Sequence, residues 1–417
     1  MKDLPKGNAL YINRLNKIKV LQLIRNESGI SRADIVKKTG LTAPTITRIV
    51  ESLVNEEKLA TFVGQGSSTG GRPPLIVKFD GENNFIIGID IGATNIRGVL
   101  SNLNAEFLVE IQVPTEKEKE YNRVMEQVGA VIEKLCIRKN IDKSRILGVG
   151  IALGGLINQK EKIVEYSPNL EWHHVDISNS LSQYVDCPVI FQNVSKCMAL
   201  GELWFGKGKT YEDFIVINVG YGIGSGIIID RKLLDGIDGI AGEFGHITME
   251  ANSDVQCRCG KMGCLEALSS GMGIELAVRK KLNEGMQSEI LGVLDSEGAK
   301  AVFEAYRQGD RLAQEVIDRA MEFLGRGIAH LISIFNPEAV FIGGGLANSK
   351  DILFDSVSRH VKSNVMSQAK RNPNILLTTY GENAALMGAF SMILYKVLRL
   401  ELGVNSPAIH TEEEYVL

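Results

Sequence analysis

The chain has 417 residues, 44% of them hydrophobic, a formal net charge of −4 and six cysteines. That length predicts two or three domains with a sizeable core. No run of about 18 apolar residues occurs. The opening MKDLPKGNALYINR has no apolar leader stretch either, so the expectation is a cytoplasmic protein with reduced thiols and no membrane partner. The charge is unevenly spread: residues 1–80 hold 13 Lys and Arg against seven Asp and Glu, and the remainder 33 against 43. A basic head on an acidic body points to nucleic acid at the N-terminal end.

In the head, Ile18, Leu21, Leu23 and Ile24 recur at helical spacing between about Arg14 and Asn26, and Gly29 ends that helix. Ser31 followed by Asp34 is an N-cap signature for a second helix, with Ile35 and Val36 inward and Gly40 at its end. Thr42 caps a third helix, with Pro44 in its first turn. Ile46, Ile49, Val50 and Leu53 form its inner face. Thr45, Thr47 and Arg48 are left facing outward. Two short helices joined by a tight turn after a first helix read as a helix-turn-helix, whose last helix enters a major groove. Leu59–Val63 and Leu75–Phe79 read as strands around GQGSSTGGRPP. That loop is a wing, with Arg72 placed to enter a minor groove. A wing that docks protein, or a plain linker, is the alternative. Asp80–Asn84 marks the boundary, giving a head of 1–82 and a body of 83–417.

The body shows an internal repeat. FIIGIDIGATNIRGVL from Phe85 and FIVINVGYGIGSGIII from Phe214 both read as strand, glycine-rich turn, strand. Each opens one lobe of a duplicated α/β fold, with the lobe change near 195–214. Glycine turns expose N–H groups that can cradle phosphate. Asp90, Gly92 and Thr94 in the first turn, and Gly222 and Gly224 in the second, are the candidate positions. Ile146–Leu156 reads as a buried strand and Pro188–Asn193 as another, with a helix from Met198. Strand ends that lead into helices are where such folds place ligand groups.

The stretch Gly242–Ser270 packs His246, Cys257, Cys259 and Cys264 into 19 positions, with Glu243 and Glu266 beside them. Thiolates and an imidazole at this spacing suit one tetrahedral, structural zinc per chain. A disulfide across Cys-x-Cys is strained and strands the third thiol. Gly298–Ile334 reads as two long amphipathic helices, lining either a dimer surface or a core. Asp351–Val365 and Asn383–Leu400 read as further helices, and Glu401–Leu417 as an exposed tail.

Gly-Glu-Phe-Gly-His and CRCGKMGCLEA resemble the signature of the ROK family, which joins bacterial sugar kinases to sugar-responsive repressors. The wing sequence Gly70-Gly71-Arg72-Pro73 is similar to that of the family's repressors. The resemblance implies an actin-like sugar-kinase body with a zinc loop. It also implies a sugar held by Asn169, Asn193, Glu243, His246 and Glu266. The family's kinases read Asn-Asp-x-Asn-x-x-Ala-Leu-Gly-Glu where this chain reads Asn193-Val194-Ser195-Lys196-Cys197-Met198-Ala199-Leu200-Gly201-Glu202. Val194 takes the place of the general base, and a sugar hydroxyl needs one. Tyr221 stands where the kinases have a small threonine. The phosphate positions Asp90, Gly92, Thr94, Gly222 and Gly224 are therefore read as vestigial. The expectation is a non-enzymatic repressor that binds a palindromic operator as a homodimer or dimer of dimers. The variant at Gly220–Gly224 is similar to that of the family's xylose-type repressors. The rival reading is a sugar kinase with a fused DNA-binding head.

Overall fold

The computed structural model describes residues 9–65, 74–366 and 373–398. Arg72 at the expected wing tip and the tail from Glu401 lie outside the described residues. The head opens with α1 (Ala9–Asn26), a short strand β1 (Ile30–Ser31), α2 (Arg32–Thr39) and α3 (Ala43–Glu51). One π-turn follows, and then β2 (Ala60–Gln65) and β3 (Leu75–Phe79). The Ser31 hydroxyl accepts the Asp34 N–H at 3.1 Å and donates to the Asp34 carboxylate at 2.6 Å, which starts α2. Ile24, Ile35, Ile46, Val50 and Leu53 meet in one buried core. β3 pairs antiparallel with both β1 and β2, which completes a winged helix. Thr42 has the extended backbone of an N-cap, but its hydroxyl makes no capping bond. It lies 2.9 Å from the Thr45 hydroxyl.

The body contains the expected duplication. In the first lobe, β4 (Phe85–Ile91), β5 (Asn95–Asn102) and β6 (Phe107–Pro114) form an antiparallel meander, covered by α4 (Tyr121–Lys139). β7 (Ile146–Leu153) then pairs parallel with β4. A flap follows, made of β8 (Leu156–Asn158), β9 (Ile163–Ser167) and β10 (Trp172–Asp176). β11 (Val189–Asn193) pairs parallel with β7. After α5 (Val194–Trp204), the second lobe repeats the plan. β12 (Phe214–Val219), β13 (Ile223–Ile229) and β14 (Lys232–Leu233) form the meander, and β15 (Ala339–Gly343) and β16 (Asn374–Leu377) pair parallel beside β12. The strand orders, β6-β5-β4-β7-β11 and β14-β13-β12-β15-β16, are the same arrangement used twice. Their central strands are apolar on both faces, as parallel strands covered by helices require.

The second lobe inserts α6 (Leu265–Ser269), α7 (Gly271–Asn283), α8 (Leu294–Glu297), α9 (Ala299–Arg307) and α10 (Arg311–Phe335) before β15. Only α10 of the two expected long helices is long. Gly309, at a φ of +84°, and Asp310, whose carboxylate caps Ala313 N–H at 2.8 Å, break the pattern before it. Its inner face is core. After α11 (Lys350–Asn364), α12 (Ala384–Leu398) returns to the first lobe and packs on β4, β7 and α5. α5 and α12 cross where Gly388 meets Cys197. A Cβ on Gly388 would lie 1.8 Å from the Cys197 carbonyl oxygen, so the crossing needs glycine. α5 begins at Val194 and not at Met198, because the Asn193 side chain caps it.

The segment 80–84 is tied to both sides. Asn84 is buried and donates from Nδ2 to the Lys58 carbonyl at 2.6 Å, and Leu103 N–H donates to the Gly81 carbonyl at 2.9 Å. Among the described residues no helix is long and apolar enough to cross a membrane.

Candidate functional site: a thiol–imidazole knot beside two carboxylates

The four candidate metal ligands converge: the ligand atoms of His246, Cys257, Cys259 and Cys264 all lie within 4.8 Å of one another. Cys259 Sγ and Cys264 Sγ are 3.6 Å apart, and Cys257 Sγ is 3.5 Å from His246 Nδ1. A disulfide needs about 2.05 Å. A tetrahedron with metal–sulfur bonds of about 2.3 Å has sulfur–sulfur edges of about 3.8 Å. The donor set and spacing therefore fit zinc, and this cluster could hold such an ion. The backbone reason lies in the loop. Two isolated bridges, Thr248 with Cys264 and Gln256 with Met262, fold it back on itself. Gly263 takes a φ of +67°, and a Cβ there would sit 2.0 Å from the Glu250 carbonyl oxygen. Burial pushes the Cys257 and Cys264 thiols up, which opposes thiolate formation until a cation offsets it.

The carboxylates sit next to the knot. His246 turns Nδ1 to the thiols, while its Nε2 lies 3.7 Å from Glu243 Oε2. Burial raises Glu243, with His246 and Lys196 opposing and Glu266 reinforcing the shift, so these four groups share one electrostatic environment. Glu266 is buried, and its Oε2 accepts the Ile223 N–H at 2.8 Å. Gly222 makes room for it, since a Cβ there would meet Glu266 Oε2 at 2.4 Å. Of the second glycine turn, Gly222 thus serves Glu266, and Gly224 admits Ser195 Oγ, which a Cβ would meet at 2.4 Å.

The two asparagines come from the first lobe. Asn193 Oδ1 accepts the Ser195 N–H at 2.8 Å, and its Nδ2 donates to the Gly155 carbonyl at 3.0 Å. It is therefore the cap of α5, with one amide N–H left for a ligand. Asn169 sits on the flap beside Gly154. Val194, which the resemblance sets at the position of the kinases' base, packs half-buried against the core and presents only methyl groups. Lys196 is buried, and its ammonium meets the Asp235 carboxylate, the Asp235 carbonyl at 3.3 Å and the Gly239 carbonyl at 2.7 Å. Three donors matched by three acceptors pin the 235–239 loop and leave no lone pair for a base.

In the first glycine turn, burial pushes the Asp90 carboxyl up to about 6, with Arg97 opposing. Gly92 N–H closes the turn on the Asn95 carbonyl at 2.9 Å, and exposed Thr94 accepts from Asn95 Nδ2 at 3.1 Å. In the head, Thr45 and Thr47 are half-exposed on α3, and exposed Arg48 donates to Asn13 Oδ1 at 3.0 Å. Thr42 precedes them. One side chain passed over in the sequence, Arg258, reaches from the knot to Asn169 and Tyr221. Its only cue is a long cation between two ligand cysteines.

The ROK family model matches residues 86–396, and the description "Winged helix-turn-helix DNA-binding" matches residues 14–59. The chain belongs to the ROK family. A curated relative, the xylose repressor of Caldicellulosiruptor bescii, is 30% identical over 94% of this chain and 98% of its own. The glucokinase of Thermotoga maritima is 32% identical over 75% of this chain and 98% of its own. A crystal structure described as a ROK family transcriptional regulator, homolog of the E. coli MLC protein, superposes with a TM-score of 0.76. It is 25% identical and covers 93% of this chain and 98% of that one. The xylose repressor thus aligns over head and body together, whereas a quarter of this chain has no counterpart in the glucokinase.

Proposed function

We propose that this ROK protein is a sugar-responsive DNA-binding transcriptional repressor of carbohydrate-utilisation genes. The observation that carries the reading is the pairing of a winged helix with a ROK body whose Val194 supplies no base. Residues 1–82 bind a palindromic operator through Thr42, Thr45, Thr47, Arg48 and the wing residue Arg72, as a homodimer. Residues 83–417 bind the sugar effector through Asn169, Asn193, Glu243, His246 and Glu266. Carboxylates accept from sugar hydroxyls, and the amides donate. His246, Cys257, Cys259 and Cys264 would hold a zinc ion, which would supply fixed geometry, since a closed four-ligand site leaves no position for a reacting water. The knot orients the imidazole and the adjacent carboxylate Glu243, so His246 could serve the metal through Nδ1, which faces the thiols, and the sugar through Nε2, which lies beside Glu243. The sugar changes operator affinity by binding one arrangement of the two heads better than the other. As a regulator of operator DNA it acts in the cytoplasm. The similarity to the xylose repressor makes a pentose the first effector to try.

The similarity to the Thermotoga maritima glucokinase favours a second reading, a sugar kinase with a fused head. A coupled ATP assay separates the two. With saturating D-glucose, D-xylose or N-acetyl-D-glucosamine, turnover is expected to stay at background while calorimetry detects binding of one sugar. Loss of a general base alone costs about 10²–10⁴-fold. Ordinary kinase turnover by the unmodified protein would refute the repressor reading of the body.

A further inference from the structure

Arg258 stands between two metal ligands in the second lobe, yet its side chain points away from them. One terminal nitrogen donates to Asn169 Oδ1 at 3.0 Å, and the other donates to the Tyr221 hydroxyl at 2.8 Å. The guanidinium carbon lies 4.8 Å from the centre of the Tyr221 ring, within cation–π range. The Tyr166 hydroxyl donates to the Arg258 carbonyl at 3.4 Å. Asn169 and Tyr166 belong to the flap of the first lobe, whereas Tyr221 and Arg258 belong to the second. One residue therefore bridges the lobes through its side chain and its backbone.

We infer that Arg258 is a positioning residue for the effector: it fixes the Asn169 amide so that the sugar meets a donor there. The inference rests on the sugar-binding reading above. A guanidinium has donors only, so the Asn169 atom that faces it is the oxygen. The nitrogen is turned the other way, toward Gly154, where an added Cβ would lie 3.3 Å from Nδ2. Asn169 then offers N–H groups, and the sugar oxygen that meets it acts as acceptor. Asn193 is oriented by its own backbone neighbours, Ser195 and Gly155. The two amides are thus set by different devices, one internal to the first lobe and one borrowed from the metal loop. Tyr221 has a role in this arrangement. It replaces the kinases' small residue and holds the guanidinium from below, so Arg258 reaches the flap in one orientation.

The test uses the full-length, zinc-loaded protein and calorimetry with D-xylose, D-glucose and N-acetyl-D-glucosamine. Arg258→Ala is expected to weaken the tightest of these sugars about tenfold, the order of one charge-assisted hydrogen bond, with zinc content unchanged. Arg258→Lys, which keeps the charge and loses the fork, is expected to fall between. If Arg258 acts through Asn169, the double variant Arg258→Ala/Asn169→Ala binds no more weakly than Asn169→Ala alone. Additive losses, unchanged or tighter binding by Arg258→Ala, or loss of zinc in that variant, would overturn the inference and leave the sugar reading standing. No binding of any of the three sugars by the unmodified protein would overturn both.

Discussion

Replacing Cys264 with serine tests the metal knot at its most enclosed ligand. Cys264 is fully buried, and its Sγ lies 3.6 Å from that of Cys259. Serine keeps the shape and removes the thiolate. A structural zinc contributes about 10–16 kcal/mol in small zinc domains, or roughly 2.5–4 kcal/mol for each of four ligands. The variant is therefore expected to bind zinc about 10²–10³-fold more weakly. The tip of the loop has little else to hold it: around the thiols the apolar cluster is Cys257, Cys264 and Ala267, with Val255 and Cys259 against it, while Phe244 and Leu265 at its two ends are anchored in the core of the second lobe. The remaining ties at the tip are exposed ion pairs of Glu250 with Arg319 and Asp254 with Lys280, and hydrogen bonds such as Cys257 N–H to the Lys261 carbonyl at 2.8 Å and Gly263 N–H to the Val255 carbonyl at 2.9 Å. Each such hydrogen bond is worth about 1 kcal/mol net. Glu266 follows Cys264 by two residues, so sugar affinity should fall with the metal. The assay is elemental analysis after competition with a chromogenic chelator, with Cys136→Ser as the control. Cys136 is buried under the first sheet, outside the knot, and its loss should leave zinc at one per chain. Full zinc retention by Cys264→Ser, or no zinc in gently purified unmodified protein, would refute the reasoning.

Acidification should release the metal. Metal binding requires deprotonated thiols, and burial raises the proton affinity of Cys257 and Cys264 in the metal-free state, while at Cys259 burial is outweighed by hydrogen bonds that lower it, so zinc affinity is present at higher pH and lost as pH falls from neutral; a chelator titration at stepped pH checks the sign. Arg48→Ala should weaken operator binding about tenfold to a hundredfold if Arg48 leaves Asn13 for a base edge, and mainly flatten the salt dependence if it meets phosphate; anisotropy at several salt concentrations distinguishes them. Gly222→Ala should displace the Glu266 carboxylate, with which its Cβ would collide at 2.4 Å. A charge-assisted hydrogen bond is worth about 1.5–3 kcal/mol, so sugar binding should drop at least tenfold while zinc stays at one per chain; calorimetry beside elemental analysis reads both.

Much of this molecule was legible because its signals are local. Ser31 with Asp34, the apolar spacing of Ile46, Ile49 and Val50, and the two strand–glycine–strand hairpins each state their structure within a dozen residues. The metal cluster was legible from residue type alone. What escaped depends on partners far away in sequence. The start of α5 at Val194, earlier than the expected Met198, follows from the Asn193 side chain, which is a ligand candidate and also caps the helix. The flap was not foreseen as a three-stranded sheet. Its strands are short, its turns place Lys162 and Glu171 at positive φ without a glycine, and His174 takes a positive φ inside β10, where the pairing skips it. Arg258 was hidden because its contacts lie 89 and 37 residues away. The break at Gly309-Asp310 was written in the sequence as an N-cap after a glycine, and the apolar periodicity on either side masked it.

The most direct measurement is fluorescence anisotropy of the full-length protein on an operator fragment selected from genomic DNA by the protein itself, with and without a sugar that calorimetry shows to bind. The account predicts tight, salt-sensitive binding that requires residues 1–82 and shifts by about tenfold or more at saturating sugar, a coupling of at least ~1.4 kcal/mol. Operator affinity that stays the same with the sugar bound, or that survives removal of residues 1–82, would contradict it.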